Sequence, residues 1–252
     1  IFIACWFERY KFTIKKQKSK KLCTVVVTII IFFCSSSPIV LFLKEEEDYR
    51  RRCPNRKEFD IWATMDTAKE VGGDFYDFYF VNEDTLAFLI ADVSGKGIPA
   101  AMFMMNAKAV LKSYAESGLE VNKTFTLANE KLCEGNEAGM FVTAWMGFLN
   151  TKTGEVTFAN AGHNPPLVRH ADGSFEYLKV RAGFVLAGME GVKYRKNELQ
   201  LAANDVIYLY TDGVTEATNI NDELYGEVRL LDLLNAHKDA TMEELCKLVL
   251  AD

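Results

Sequence analysis

Apolar and polar residues alternate along 60–65, and strand formers dominate 73–81, so each stretch predicts a β-strand with one buried face. Asn82-Glu83-Asp84 has the chemistry of a hairpin turn, and a third strand over 86–91 runs into Asp92-Val93-Ser94-Gly95-Lys96-Gly97. The pattern then changes period. Residues 100–114 have helical composition with no charge before Lys108, which predicts a helix buried against the sheet. A second helix is predicted over 124–133, stopped by Glu134-Gly135-Asn136. Strands return at 141–149 and 155–160 around the turn Thr151-Lys152-Thr153-Gly154, at 166–170 and 175–179 around Asp172-Gly173, and at 205–210. Thr241 with Glu244 three residues on is a capping-box pattern that opens a terminal helix. Helices inserted in blocks between antiparallel strand signals predict an α+β sandwich, not a parallel doubly wound sheet.

Residues 1–58 differ in character from the domain that the pattern marks out over 59–252. They hold a lysine-rich segment (Lys11, Lys15, Lys16, Lys18, Lys20, Lys21), an uncharged run over 22–43, and then Arg50-Arg51-Arg52. The run is long enough to span a bilayer and is a candidate membrane segment. Ser35-Ser36-Ser37-Pro38 in its middle and its β-branched composition argue against a simple spanning helix. The upstream lysines would hold the N-terminus in the cytoplasm and send the rest outward unless the arginines dominate. The other reading of 1–58 is a leader that is not native to the domain.

Composition narrows the function classes. With 252 residues and 49% hydrophobic content, the chain can bury a substantial core. A net charge of −6 and the lack of a basic stripe beyond residue 60 exclude non-specific nucleic-acid binding, and suit a site that collects cations. The six cysteines form no C-x-x-C pair, so neither a zinc site nor a disulfide framework is indicated, and the domain is expected reduced and cytoplasmic.

Three acids share one structural habit. Asp74 follows Gly72-Gly73, Asp92 ends an apolar strand before a glycine-rich turn, and Asp212 ends the strand 206–211 before Gly213. Carboxylates at neighbouring strand ends can converge, and hard cations such as Mg²⁺ or Mn²⁺ want such oxygen ligands while keeping several waters. Each Asp could equally cap a turn, as Asp-Gly pairs often do. Ser94-Gly95-Lys96-Gly97 is not a phosphate-binding P-loop, because Ile90 stands where that motif needs its first glycine.

The segments Glu70-Val71-Gly72-Gly73-Asp74-Phe75-Tyr76-Asp77, Asp92-Val93-Ser94-Gly95-Lys96-Gly97, Ala161-Gly162-His163-Asn164-Pro165-Pro166 and Tyr210-Thr211-Asp212-Gly213-Val214-Thr215-Glu216-Ala217 occur together and in order. Together they resemble the stage II sporulation protein E-type branch of the metal-dependent (PPM) protein phosphatases, from about residue 59 onward. The resemblance implies two packed antiparallel β-sheets flanked by α-helices, with two Mn²⁺ or Mg²⁺ ions at one end. It maps Asp92 onto the ligand that bridges the ions, Val93 onto a backbone-carbonyl ligand, Asp74 onto an adjoining acidic position and Asp212 onto a ligand of the second ion. It implies that water activated by the ions attacks phosphorus in line, with no covalent phosphoenzyme.

His163 could donate a proton to the leaving serine oxygen or lock the turn 162–166, the second being preferred. Strand alternation puts Asp77 on the face opposite Asp74, where solvent or turn contact is expected. Glu216 and Lys96 are candidates for backbone and substrate-phosphate contact. Members of the family generally end on a further strand that carries another acidic ligand. Nothing between Glu244 and Asp252 resembles it, so the resemblance implies a fold truncated at its C-terminus. Gly183-Phe184-Val185-Leu186-Ala187-Gly188 also departs slightly from the family pattern. The expected activity is that of a serine/threonine phosphoprotein phosphatase acting on a regulatory protein, with an anti-anti-sigma (STAS-domain) protein as the partner the family suggests. The competing reading is a non-catalytic module that binds such a partner.

Overall fold

The structure, a computed structural model, describes residues 26–33, 59–66, 72–171 and 173–252. Its elements run β1 (Val26–Phe33), β2 (Phe59–Asp66), β3 (Phe75–Phe80), β4 (Thr85–Val93), α1 (Ile98–Glu116), α2 (Val121–Cys133), β5 (Val142–Asn150), β6 (Glu155–Ala161), β7 (Leu167–Arg169), β8 (Phe175–Tyr177), β9 (Asn197–Gln200), β10 (Val206–Tyr210), α3 (Asp212–Thr215), α4 (Gly226–Ala236) and α5 (Met242–Ala251). One sheet has the order β2-β1-β10-β7-β8 and the other β3-β4-β5-β6-β9, and every pairing is antiparallel. This is the α+β sandwich that the pattern predicts.

Three apolar clusters make the layers. Phe59, Ile61, Phe78, Phe88, Ile90, Trp145, Phe158, Ile207 and Leu209 fill the space between the sheets. Odd-numbered residues of β4, including Ala87, Leu89 and Ala91, face outward and meet Ala107 and Leu111 of α1 and Phe125 and Ala128 of α2. On the other outer face Tyr208 and Tyr210 of β10 meet Leu230 and Leu234 of α4 and Leu245 and Val249 of α5. The period of 2 in the strands and 3.6 in the helices thus sorts each side chain into its layer. α5 opens with the predicted capping box: Thr241 Oγ1 accepts from the Glu244 amide at 3.3 Å, and Glu244 accepts from the Thr241 amide at 2.9 Å.

Two differences from the sequence reading have physical reasons. Residues 26–33 of the apolar run 22–43 form β1, hydrogen-bonded to β2 on one side and β10 on the other. That stretch is a sheet strand, in keeping with its consecutive valines and isoleucines. Among the described residues no helix is long and apolar enough to cross a membrane. The rest of the run and of the leader lies outside the described residues, as do Glu70 and Val71 of the first motif. The strands at 167–169 and 175–177 are also shorter than predicted, the first because Pro166 has no amide to give the ladder.

The inter-sheet core leaves no room for a side chain at Gly147. Trp145 stacks on Phe158 with ring centroids 5.1 Å apart and leans on Phe88 at 5.3 Å. A Cβ at Gly147 would stand 2.6 Å from Phe88 Cζ and 2.8 Å from the Trp145 ring. Gly147→Ala is therefore expected to overpack the core and destabilise the fold by about 1–3 kcal/mol, lowering the thermal midpoint by roughly 2–10 °C in a calorimetric scan.

Candidate active site

Leu86, Phe88 and Ile90 of β4 point into the space between the sheets, so Asp92, two residues further on, carries that face to the end of the strand. The same parity brings Thr143 to the end of β5 beyond Trp145, and Thr211 to the end of β10 beyond Ile207 and Leu209. Asp92 lies across from Thr143, and Phe75 across from Ala91, which sets Asp74 beside Asp92. The apolar interior is thereby closed at one end by a polar layer of strand-end residues from both sheets.

Asp74 is buried, with 8% of its surface exposed. Its carboxylate accepts from the Asp92 carboxyl and the Thr211 hydroxyl, and its Oδ2 is buried without a partner. Burial raises the Asp74 carboxyl above the usual range, and the charge of Asp212 adds to the rise against those hydrogen bonds. Burial likewise pushes Asp92 up to about 9, helped by its hydrogen bond to Asp74 and the charges of Asp74, Asp212 and Glu216. Asp212, the first residue of α3, is raised by burial, partly offset by the Gly213 amide and the Lys96 charge. Three carboxylates that resist ionising side by side form a place where a cation replaces a proton at a gain.

The Val93 carbonyl lies against Gly73, where an added Cβ would come within 2.7 Å of the oxygen. Only glycine allows the lead-in to β3 to approach this carbonyl, and so brings Asp74, the next residue, to Asp92. Ser94 ties the following turn to β5: its amide donates to the Phe141 carbonyl at 2.9 Å, and its Oγ accepts from the Phe141 amide at 2.9 Å. Among the described residues no three His, Cys, Asp or Glu side chains gather as a cage for one ion. The donor set is a row of carboxylates and a carbonyl, which suits hard cations that keep much of their water, not a closed structural site.

His163 stands behind this row. The turn that carries it has Gly162 in the left-handed region at φ 71°. Asn160 clasps the turn, accepting from the His163 amide at 2.8 Å and donating to the His163 carbonyl at 3.0 Å. The ring, 5% exposed, places Nε2 3.2 Å from the Tyr210 carbonyl and Nδ1 2.9 Å from Thr143 Oγ1. Burial lowers its pKa to about 4, so the imidazole is neutral near pH 7. Because a carbonyl only accepts, Nε2 carries the proton and Nδ1 accepts from the threonine hydroxyl.

The structure thus brings together Asp74, Asp92, Val93 and Asp212, and sets His163 in the layer behind them. Lys96 and Glu216 reach the row through charge. Asp77 differs from expectation. It does lie on the face opposite Asp74, yet it is 1% exposed, accepts from the Phe78 amide at 3.0 Å and pairs with Lys108 of α1 at 3.7 Å. Lys108 also donates to the Tyr76 carbonyl at 3.1 Å, so Asp77 anchors a helix instead of meeting solvent. Thr143, Asn160 and Thr211 are the site residues that sequence reasoning missed. The signal for Thr143 and Thr211 was present in strand parity, which continues the interior face onto a hydroxyl.

A model of the family described as stage II sporulation protein E (SpoIIE) matches residues 82–252. The chain is 31% identical over 197 residues to the phosphoserine phosphatase RsbU of Bacillus subtilis strain 168, covering 78% of this chain and 58% of that protein. It is 28% identical over 219 residues to the protein IcfG of Synechocystis sp., covering 76% of this chain and 34% of that protein. The chain therefore spans less than two thirds of the length of these relatives. Among solved structures, the RsbU and RsbW domains of Rv1364c from Mycobacterium tuberculosis superpose with a TM-score of 0.64 at 23% identity, over 90% of this chain and 55% of that one. The SiaA-PP2C domain of Pseudomonas aeruginosa gives a TM-score of 0.61 at 23% identity, over 72% of this chain and 71% of that one. At such identities the likeness is one of fold, that of a PP2C-type domain. With the family match running through β4, β5, β6 and β10 and extending over well more than half of the chain, this protein belongs to the stage II sporulation protein E (SpoIIE) family.

Proposed function

We propose that the chain is a metal-dependent serine/threonine phosphoprotein phosphatase in which Asp74, Asp92, Asp212 and the Val93 carbonyl hold two divalent cations, Mn²⁺ or Mg²⁺. One observation carries the reading: Asp74 is buried at the mouth of the sandwich and hydrogen-bonded to the half-buried Asp92, and desolvation raises the carboxyls of Asp74, Asp92 and Asp212 alike. The ions would neutralise the phosphate and activate water for in-line attack. Asp92, hydrogen-bonded to Asp74 and within reach of the Asp212 charge, is the residue that would serve both ions. Asp74 is oriented from behind by Thr211. Lys96, exposed in the turn after β4, is placed to meet the incoming phosphate.

The substrate class rests on the relatives. RsbU carries the name of a phosphoserine phosphatase, which supports a phosphoserine on a regulatory protein as the group removed here. A STAS-domain protein is the partner proposed. The competing account, a phosphatase fold that binds such a partner without turnover, is a distinct outcome of the same assay.

Phosphate release from a phosphoserine peptide and from a phosphorylated STAS-domain protein should require Mn²⁺ or Mg²⁺, and should fall at least about a hundredfold in Asp92→Asn, since even indirect support of a metal ligand is worth ten- to hundredfold. A folded chain that binds Mn²⁺ yet releases no phosphate from either substrate would leave the binding module as the better account.

Metal-free stability gives a second, independent readout. Asp92→Asn removes a carboxyl that the fold disfavours in its charged form, so the metal-free variant should melt at or above the wild-type midpoint near pH 8. Added Mn²⁺ should raise the wild-type midpoint and leave that of the variant nearly unchanged. An unresponsive wild type would remove the metal site from the proposal.

A further inference from the structure

The two ends of the carboxylate row belong to different sheets. Asp92 ends β4 of one sheet, while Asp212 follows β10 of the other. Their separation is therefore a property of how the sheets are spaced at this end, where the apolar packing between them gives way to polar side chains. The His163 imidazole crosses the gap with two directed hydrogen bonds. Nδ1 meets the hydroxyl of Thr143, which lies across the ladder from Asp92, at 2.9 Å. Nε2 meets the carbonyl of Tyr210, two residues before Asp212, at 3.2 Å. The turn that carries the ring is itself held on both sides by Asn160.

We propose that Thr143 and His163 are positioning residues that act as one strut between the sheets and set the spacing of Asp92 and Asp212, and that His163 is not the proton donor of the reaction. The inference rests on the reading of the carboxylate row as a divalent-cation site. A donor must present a proton to the leaving oxygen. Here the one ring proton is spent on a backbone carbonyl, the other nitrogen is occupied by an incoming hydroxyl, and the ring is almost wholly enclosed. Neutral imidazole has no further hydrogen to give. The strut works instead as the outer hydrogen bonds of a metal site do, by holding ligands where a cation needs them without touching it.

Thr143→Val keeps the shape and β-branching of the strand residue and removes only the hydroxyl; Thr143→Ser keeps the hydroxyl. In the full chain, titrated with MnCl₂ by calorimetry, Thr143→Val should bind Mn²⁺ about ten- to hundredfold more weakly, while Thr143→Ser stays close to wild type. Turnover at saturating Mn²⁺ should largely recover in Thr143→Val, with the KM for phosphopeptide unchanged. Thr143→Ala carries the comparison should the valine variant fail to fold. In a double-mutant cycle, adding Thr143→Val to His163→Leu should cost little more, because both changes break the same strut.

The substrate's leaving group separates a strut from an acid. p-Nitrophenolate leaves without a proton, whereas a serine alkoxide needs one. His163→Leu should lower both reactions by the same factor. A loss confined to the phosphoserine peptide makes His163 the acid and overturns the proposal, as does wild-type Mn²⁺ affinity in Thr143→Val. If the wild-type chain binds no Mn²⁺ at all, the metal-site reading falls and the strut falls with it, an outcome distinct from the other two.

Discussion

Desolvation of neighbouring carboxylates governs this site. A carboxylate taken from water into a protein loses hydration worth several kcal/mol, and at Asp74 and Asp92 the charge of Asp212 makes ionisation harder still. Such a cluster persists only if the surrounding structure over-determines it. The sandwich does so from below, with Phe88, Ile90 and Trp145 packed immediately under the polar layer, each fully buried. It does so from the sides through Gly73, whose missing side chain lets Asp74 close on the end of β4, and through Ser94, which staples the next turn to β5. The row is held in place by bonds that the chain itself supplies.

This division of labour explains which polar residues are buried and where. Thr211 has no exposed surface and lends its hydroxyl to Asp74, and Asn160 spends its whole amide on one turn. Asp77 and Lys108 lie on the opposite face of the same sheet and do a different job. The buried residues that α1 lays on the sheet are Ala100, Ala107, Leu111 and Ala115, small or featureless side chains that offer little to fix its rotation. An ion pair whose acid is buried adds little net stability, but it is directional, and one of its recorded uses is to specify register. α1 begins five residues after Val93, so a contact that fixes the helix also fixes where the turn after β4 must end.

Much of this was legible in the sequence because strands write their facing in a period of two. The alternation that buries Leu86, Phe88 and Ile90 predicts where Asp92 points, and the ordered motifs around Asp74, His163 and Asp212 set these residues in one site. The same alternation placed Asp77 opposite Asp74, yet it could not say that the far face was covered by a helix with a lysine at the right turn. Contacts between strands remote in sequence were likewise hidden. Nothing local marks Thr143 as the partner of His163, because that pairing exists only once β5 and the 162–166 turn are folded over one another. Nor does composition distinguish a valine- and isoleucine-rich sheet strand from an apolar run meant for lipid, since both can be built from the same side chains.

β1 shows what that ambiguity conceals. Among the described residues, its removal would leave β2 with no hydrogen-bonded neighbour and turn β10 into an edge, because β1 is the strand between them. Thr28 of β1 lies directly across from Tyr210, the residue whose carbonyl receives the His163 ring and which leads into Thr211 and Asp212. The backbone that positions the second sheet's contribution to the site is therefore held on one side by β1 and on the other by β7, whose register stops at Tyr208. Beyond that point, among the described residues, β1 alone pairs with the end of β10. Order at Asp212 thus depends on pairing with a strand far away in the sequence, as well as on its own motif, and the geometry of the carboxylate row is a property of both sheets together.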